Sequence, residues 1–232
     1  GYHVSLLDCL DPYHPLLNNT ALPRPVGHFY KTQIPKPEIL SDIPRKFSRY
    51  GLSPNRVRQY LEKQNPDIIL ITSGMTYWYP GVNEMIALLK AFFSDTPVIL
   101  GGIYATLCPE HAAQNSGADL IFQGGNANEI LKAIDVITHN HSDYERYIDF
   151  AYYPFPQYNF YSGLYAAILL TAYGCPYRCP FCASHLLSPG FIRKHPGDVA
   201  REIIRLRQQL NIRHFAFYDD ALLYKKETHL EI

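Results

Sequence analysis

The sequence predicts a protein of the α/β class, in which helices cover a parallel sheet. Short, β-rich apolar runs alternate with amphipathic stretches over the first 140 residues, and this alternation is typical of parallel strands joined by helices. With 232 residues, of which 47% are hydrophobic, the chain is long enough to bury a core. Its longest apolar runs stop well short of the roughly 18 residues that a membrane helix needs. We therefore interpret them as buried strands.

The first region alternates four predicted strands with helices. The strands are expected at 2–8, 67–73, 97–102 and 118–125, and the helices at 54–64, 80–93, 109–115 and 126–137. Ser53 followed by Pro54 is a favourable helix start, since an N-cap residue precedes a proline in the first turn. Residues 11–52 are too long and irregular for a simple crossover and are expected to form a functional or disordered loop. The opening strand indicates that one β-α unit precedes Gly1.

A second region follows a connector rich in proline and tyrosine. It contains a predicted strand, a cysteine-rich loop, a helix and another strand, at 164–172, 174–184, 196–210 and 213–220. Two strands and one helix do not close a domain, so we expect the beginning of a larger α/β barrel. The predicted organisation is a first domain at 1–140, a connector at 141–163 and an incomplete barrel at 164–232.

Charge and cysteine content exclude several classes of protein. Lys plus Arg and Asp plus Glu number 21 each, so the charge gives no indication of nucleic-acid binding. No membrane partner is indicated either. Five cysteines, three of them within one loop, are unlike a secreted disulfide framework and favour a reducing compartment and metal chemistry. We expect a cytoplasmic protein.

Three cysteines directly follow a predicted strand in the pattern C-x-x-x-C-x-x-C. They are Cys175, Cys179 and Cys182, and Pro176 and Pro180 stiffen the loop that carries them. Thiolates at this spacing can each bind one iron of an iron–sulfur cube. The fourth iron is then left without a protein thiolate. An iron that is open in this way can bind a substrate or cosubstrate.

This loop, with the aromatic Phe181 just before its last cysteine, resembles the signature of the radical S-adenosylmethionine (SAM) enzymes. The resemblance implies that Cys175, Cys179 and Cys182 hold a 4Fe-4S cluster, that SAM chelates the open iron, and that Phe181 lies against the adenine. In this family the cluster cleaves SAM to methionine and a 5'-deoxyadenosyl radical, which abstracts hydrogen from a substrate. A reducing partner such as a flavodoxin or ferredoxin is also implied.

Two adjacent carboxylates, Asp219 and Asp220, end the last predicted strand. They lie at the carboxyl edge of that strand, the face where barrel ligands bind. Adjacent carboxylates repel each other without a cation, and the resemblance implies that they meet the ammonium of the methionine moiety of SAM. The alternative is a solvated helix cap. Arg193, in the segment before the predicted helix, is expected to be structural.

Residues 1–140 resemble the Rossmann-like (flavodoxin-like) cobalamin-binding domain that precedes the radical core in one branch of the family. The likeness is strongest at "ITSGMTYW", "GGIYATLCPE" and "GADLIFQGGNANEIL", which all follow strands and would therefore lie on one ligand-facing edge of the sheet. Glycines there permit close approach of a macrocycle, and hydroxyls can meet its polar fringe. The expected cofactor-binding residues are Thr72, Ser73, Thr76, Gly101, Gly102, Tyr104, Thr106, Gly124 and Gly125. Tyr104 stands where relatives often have histidine.

The resemblance therefore implies the front part of a cobalamin-dependent radical SAM enzyme, most commonly one that transfers a methyl group to an unactivated carbon. Its substrate, a small molecule or peptide, is not indicated. Because the barrel is incomplete, we expect these 232 residues alone not to turn over substrate. Two alternatives stay open. One is a methylthiotransferase-like radical enzyme without cobalamin, and the other is a non-catalytic module in which His185 joins the three cysteines of the loop in a zinc site.

Overall fold

The computed structural model describes residues 1–17, 28–124, 127–142, 153–188 and 190–224. These residues fall into two compact units. The smaller unit comprises Tyr2–Asn65 and Gln157–Tyr165, and the larger comprises the described residues of Pro66–Pro156 and Ala166–Ile232. The predicted α/β class is confirmed by the parallel strands and covering helices of the larger unit.

The smaller unit is built around a hairpin and one helix. Its elements are the antiparallel strands β1 (Lys31–Gln33) and β2 (Ser48–Tyr50), helix α1 (Pro54–Leu61), and 3-10 turns at Pro15–Leu17, Glu38–Leu40 and Tyr158–Phe160. Helix α1 begins after Ser53 with Pro54 in its first turn, as predicted. Val57 and Leu61 of this helix are buried, together with Leu52. These side chains are part of the buried apolar residues of the unit.

The strand predicted at 2–8 is wrong. These residues have no regular secondary structure, and the side chains of Tyr2, Val4 and Leu6 are exposed. A strand needs a neighbour with which to exchange backbone hydrogen bonds. Within the described ranges, no other strand pairs with this segment.

The larger unit contains a three-stranded parallel sheet. Its strands β3 (Ile69–Ser73), β4 (Val98–Gly101) and β5 (Leu120–Ile121) lie in that order, and its helices are α2 (Tyr79–Phe92), α3 (Gly102–Leu107), α4 (Pro109–Asn115) and α5 (Ala127–Thr138). A 3-10 turn at Thr76–Trp78 precedes α2. The strands and helices predicted for this region are thus confirmed, with β5 shorter than expected.

One face of this sheet forms the main core. Val98 and Leu100 of β4 are fully buried against Val82 and Ile86 of α2. Helices α3 and α4 complete this layer. Strand side chains alternate between the two faces, so Leu70 and Ile99, which are opposite each other in the register, point to the other face. Leu70 remains 54% exposed there, and this second face carries the cleft.

The cysteine region forms two further pairs of strands in the larger unit. Its elements are β6 (Ala167–Leu169), β7 (Ala172–Gly174), α6 (Ser184–Leu187), β8 (Phe191–Arg193), α7 (Pro196–Leu210) and β9 (Phe215–Phe217). Strands β6 and β9 are parallel and joined through α7, whereas β7 and β8 are antiparallel. The predicted helix at 196–210 is confirmed. In the part of the chain described, no helix is long and apolar enough to cross a membrane.

The single strand predicted at 164–172 is instead two short strands in different sheets. The chain leaves β6 after Leu169 and turns at Thr171, whose N–H and hydroxyl both bond to the carboxylate of Asp219. Strand β7 then pairs with residues 191–193, which were not predicted to be a strand. The apolar run at 164–172 gives no sign of this break, because the hydrogen bonds at Thr171 come from a distant residue.

Candidate cofactor cleft and cysteine loop

A cleft of about 270 Å³ opens on the second face of the three-stranded sheet. It is bounded by strands β3 and β4, the segment after β5, and helix α5. Its lining is Leu70, Ile71, Thr72, Ile99, Gly101, Gly102, Phe122, Gly124, Ala127 and Ile130. The floor is apolar and the rim is made of glycine backbone. Such a surface suits a flat or heterocyclic group better than a strongly charged one.

Four of the predicted cofactor-binding residues meet in this cleft: Thr72, Gly101, Gly102 and Gly124. They lie at the carboxyl ends of three neighbouring strands, where ligands bind in open α/β sheets. The sequence reasoning missed the apolar lining, such as Ile99 and Phe122. The alternation of side chains along the predicted strands could have identified them, because it assigns both side chains to the face opposite the core.

Gly102 has a conformation that an L-residue rarely adopts. Its φ is +82°, and a Cβ atom built on it would lie 2.3 Å from the Thr72 side-chain oxygen and 2.9 Å from the Ser73 carbonyl oxygen. The two strand ends approach each other closely only because this residue has no side chain. Gly124 is also left-handed, with φ +93°, but a Cβ there would meet no atom within 4 Å.

The other predicted residues of this domain do not line the cleft. The buried Ser73 donates its hydroxyl to the Met75 carbonyl over 2.8 Å and shapes the turn after β3, where Thr76 begins the 3-10 turn. Thr106 uses its hydroxyl on backbone groups of Gly102 and Gly124. Gly125 lies outside the described residues.

Tyr104 lies in the core under the sheet, and its side chain is only 1% exposed. Its hydroxyl is 2.7 Å from Nδ1 of His111, and the ring of Tyr79 packs beside both. Burial, and secondarily the neighbouring Cys108 and Tyr79, raise the pKa of the Tyr104 hydroxyl. The structure therefore gives this side chain a packing role.

The cysteine loop begins at a constrained glycine. Gly174 ends β7 with φ +79°, and a Cβ on it would lie 2.0 Å from the Gly190 carbonyl oxygen. Cys175 follows immediately, and the Cys182 N–H donates to the Cys179 carbonyl over 3.0 Å, which closes a turn within the loop. All three cysteines are partly exposed free thiols. The loop therefore presents three thiols that no disulfide occupies.

Ser184 lies beside the sulfur of Cys182. Its hydroxyl oxygen and backbone nitrogen are 3.3 and 3.5 Å from Cys182 Sγ, and these hydrogen bonds hold the pKa of that thiol below its usual range. A thiolate is the form that binds metals. The donor chemistry of the loop thus fits a thiophilic metal or an iron–sulfur cluster.

Across the described part of the chain, however, no three His, Cys, Asp or Glu side chains lie close enough together to hold a metal ion. The three loop cysteines are not gathered at one point, either by themselves or together with His185. Phe181 is 90% exposed on the same loop.

The two predicted carboxylates have different surroundings. Asp219 Oδ1 accepts hydrogen bonds from Thr171 N–H, Thr171 hydroxyl and Ala172 N–H, over 2.9, 2.8 and 2.5 Å. Its Oδ2 atom is buried without a hydrogen-bond partner in the described structure. Asp220 is exposed. The sequence analysis gave both carboxylates the same role, but in the structure their environments differ.

Helix α3 connects the two candidate regions. Its first residue, Gly102, lines the cleft, and the helix contacts α6, which begins two residues after Cys182. The cleft and the cysteine loop thus belong to one compact unit.

Residues 47–132 match the family model of the B12 binding domain. The chain is 21% identical to cytidylyl-2-hydroxyethylphosphonate methyltransferase of Streptomyces wedmorensis and 20% identical to an uncharacterised methyltransferase of Pyrococcus horikoshii, each over 76% of this chain and 44% of the relative. The resemblance predicted from the sequence is confirmed.

A solved structure has a similar fold. It is the radical SAM methyltransferase TsrM of Kitasatospora setae, with tryptophan substrate and a SAM analogue bound. The TM-score is 0.56 at 17% identity, over 72% of this chain and 39% of TsrM. The chain therefore spans less than half the length of each of these relatives. The match supports the Rossmann-like α/β fold predicted for the chain.

Proposed function

We propose that the chain is part of a cobalamin-dependent radical SAM enzyme that transfers a methyl group. The observation that carries this proposal is the cleft: four residues predicted to bind cobalamin meet there, within the region that matches the B12 binding domain. The cysteine motif lies in the same compact unit.

The cleft residues fit part of a cobalamin. The apolar floor, with Ile99 and Phe122, would pack against a flat heterocycle, and Gly101 and Gly124 would let the ligand approach the backbone. The hydroxyl of Thr72 would meet a polar group at the rim. Bound cobalamin would supply the methyl-carrying chemistry, while the chain binds and orients it.

The cysteine loop would hold a 4Fe-4S cluster through Cys175, Cys179 and Cys182. The bound cluster and SAM would supply the radical chemistry, while the three thiolates would hold the cluster in the loop. The Ser184 N–H donates to the Cys182 sulfur, and the Ser184 hydroxyl, which accepts from the thiol, would donate to it once the sulfur is a thiolate; such donors help set the potential of a cluster. The exposed ring of Phe181 leaves its face open for the adenine.

Asp219 and Asp220 would meet the SAM ammonium. The buried Oδ2 atom of Asp219 supports this role, because a buried carboxylate oxygen without a donor is costly and a ligand cation would satisfy it. Asp220 is exposed and would add charge nearby. Flavodoxin or ferredoxin would supply the electron, and the substrate is an unidentified small molecule or peptide.

The test uses the full-length protein, purified and reconstituted anaerobically. We expect about four irons and four sulfides per chain, together with bound cobalamin seen by absorbance. Cys175→Ala, Cys179→Ala and Cys182→Ala should each lose the cluster, whereas Cys108→Ala, which lies outside the motif, should retain it.

Other outcomes discriminate the alternatives. A cluster without cobalamin would indicate a methylthiotransferase-like or other radical enzyme. One zinc per chain with no sulfide, lost in His185→Ala, would show a zinc module of three cysteines and one histidine and overturn the proposal.

A further inference from the structure

The carboxylate of Asp219 is committed to the protein backbone. Its Oδ1 atom accepts all three hydrogen bonds described above, two of them from the consecutive amides of Thr171 and Ala172. Charged acceptors make hydrogen bonds that are stronger than neutral ones. The carboxylate therefore ties the end of β9 to the turn between β6 and β7.

This turn is held from other sides as well. Thr171 is buried, and its carbonyl accepts from the Lys194 N–H over 2.9 Å at the end of β8. The Lys194 ammonium lies 2.9 Å from Oε2 of Glu202 on α7, and both side chains are largely buried. The segments that follow β9 and β8 thus both bond to this turn, and helix α7 holds the Lys194 side chain through Glu202.

The same turn sets the start of the cysteine loop. Strand β7 runs only from Ala172 to Gly174, and Cys175 is the next residue. Gly174 lies so close to the Gly190 carbonyl that it has no room for a side chain. Because β7 is only three residues long and is paired with β8, a shift of Ala172 should also shift Cys175, the residue that follows the strand.

We propose that Asp219 is a positioning residue, whose Oδ1 atom fixes the β6–β7 turn and so places the cysteine loop for its ligand. That the loop binds a cluster rests on the proposed function. That Asp219 fixes the turn rests only on the hydrogen bonds described above. It is distinct from contact with the SAM ammonium, for which only the Oδ2 atom is left.

Amide hydrogen exchange on the full-length protein tests the role, both before and after cluster reconstitution. Asp219→Ala should speed exchange of the amides at 171–175 by about tenfold or more, because the lost bonds allow local opening. It should also lower the iron and sulfide content. Asp219→Asn keeps an oxygen acceptor and should stay closer to wild type in both measurements.

Asp135→Ala is the matched control. Asp135 is a buried carboxylate that accepts from the N–H and hydroxyl of Ser142, over 2.6 and 2.9 Å, and it lies on α5. Its loss should leave exchange at 171–175 unchanged. Should Asp219→Ala fail to fold, Thr171→Ala removes one of the three donors and should give a smaller increase at the same amides.

Wild-type exchange at 171–175 in the Asp219→Ala or, if needed, Thr171→Ala protein would overturn the proposal, even if SAM binding were weakened. So would an Asn variant as disturbed as the Ala variant. If wild type holds no iron or sulfide, the proposed function fails, yet the exchange data from the unreconstituted protein still decide the role of Asp219.

Discussion

The hydroxyl of Thr106 accepts a hydrogen bond from the backbone N–H of Gly124 over 3.1 Å. The same hydroxyl donates to the Gly102 carbonyl over 2.8 Å. Because both glycines line the cleft, this one side chain joins two parts of its rim. Thr106 therefore supports the cleft without lining it.

Replacement of Thr106 by valine should loosen the rim. The change keeps the shape of the side chain but leaves the Gly124 N–H without its acceptor, which costs about 1 kcal/mol. We expect weaker cobalamin binding, by about threefold to tenfold, with little change in cluster content. Absorbance titration and iron analysis measure the two effects. Thr106→Ser keeps the hydroxyl and should restore binding; equal binding by the valine variant and wild type would refute the role.

Gly102→Ala should destabilise the larger unit. A left-handed non-glycine residue costs about 1–3 kcal/mol, and here the new Cβ would also press on the Ser73 backbone. Gly81→Ala is the control, because Gly81 lies in the first turn of α2 and a Cβ there meets nothing within 4 Å. That variant should gain about 0.5 kcal/mol. Urea unfolding compares the two, and a similar effect at both sites would contradict the prediction.

The elements predicted best are those whose start and apolar pattern are determined by neighbouring residues in the sequence. Helix α4 begins at Pro109 and α7 at Pro196, and in both cases proline in the first turn marks the start. Strands β3 and β4 are continuous apolar runs between helices. Such signals depend little on distant residues, so they could be read from one chain.

Features that depend on long-range contacts could not be predicted. At the break between β6 and β7, Thr171 bonds to Asp219, which is 48 positions away. Tyr104 is buried in helix α3, a short helix that the sequence did not predict. Of the residues that the resemblance implied, Thr72, Gly101, Gly102 and Gly124 line the cleft, whereas the hydroxyls of Ser73 and Thr106 bond to the backbone.

Asp119 should contribute stability that is lost in acid. Its carboxylate is bonded to the Lys90 ammonium and accepts from the Val98 N–H over 2.6 Å, and these contacts, in that order, lower its pKa. Because the folded-state pKa is below the unfolded one, the contribution is full above about pH 4 and disappears as the pH falls through the lowered value. Both side chains are partly exposed, so we expect less than about 1 kcal/mol.

Urea unfolding of wild type and Asp119→Asn between pH 6 and pH 2 measures this effect. The variant keeps an acceptor for Val98 but loses the charge, so the difference in unfolding free energy should be largest at pH 6 and shrink below about pH 4. Asp95→Asn removes the same charge from an exposed position before β4 and controls for net charge. A difference that grows towards pH 2 would contradict the assignment.

The ion pair of Lys194 and Glu202 should be costly to break on one side only. Glu202 is 2% exposed, and Lys194 reaches it from the end of β8. Lys194→Met leaves a buried carboxylate without its cation, which should cost about 3–5 kcal/mol. The double variant Lys194→Met/Glu202→Leu replaces both charges with apolar groups of similar size and should recover most of this loss. Urea unfolding of wild type, both single variants and the double variant at pH 7 gives the interaction free energy of the pair. If the losses in unfolding free energy were additive, the two residues would not act as a pair.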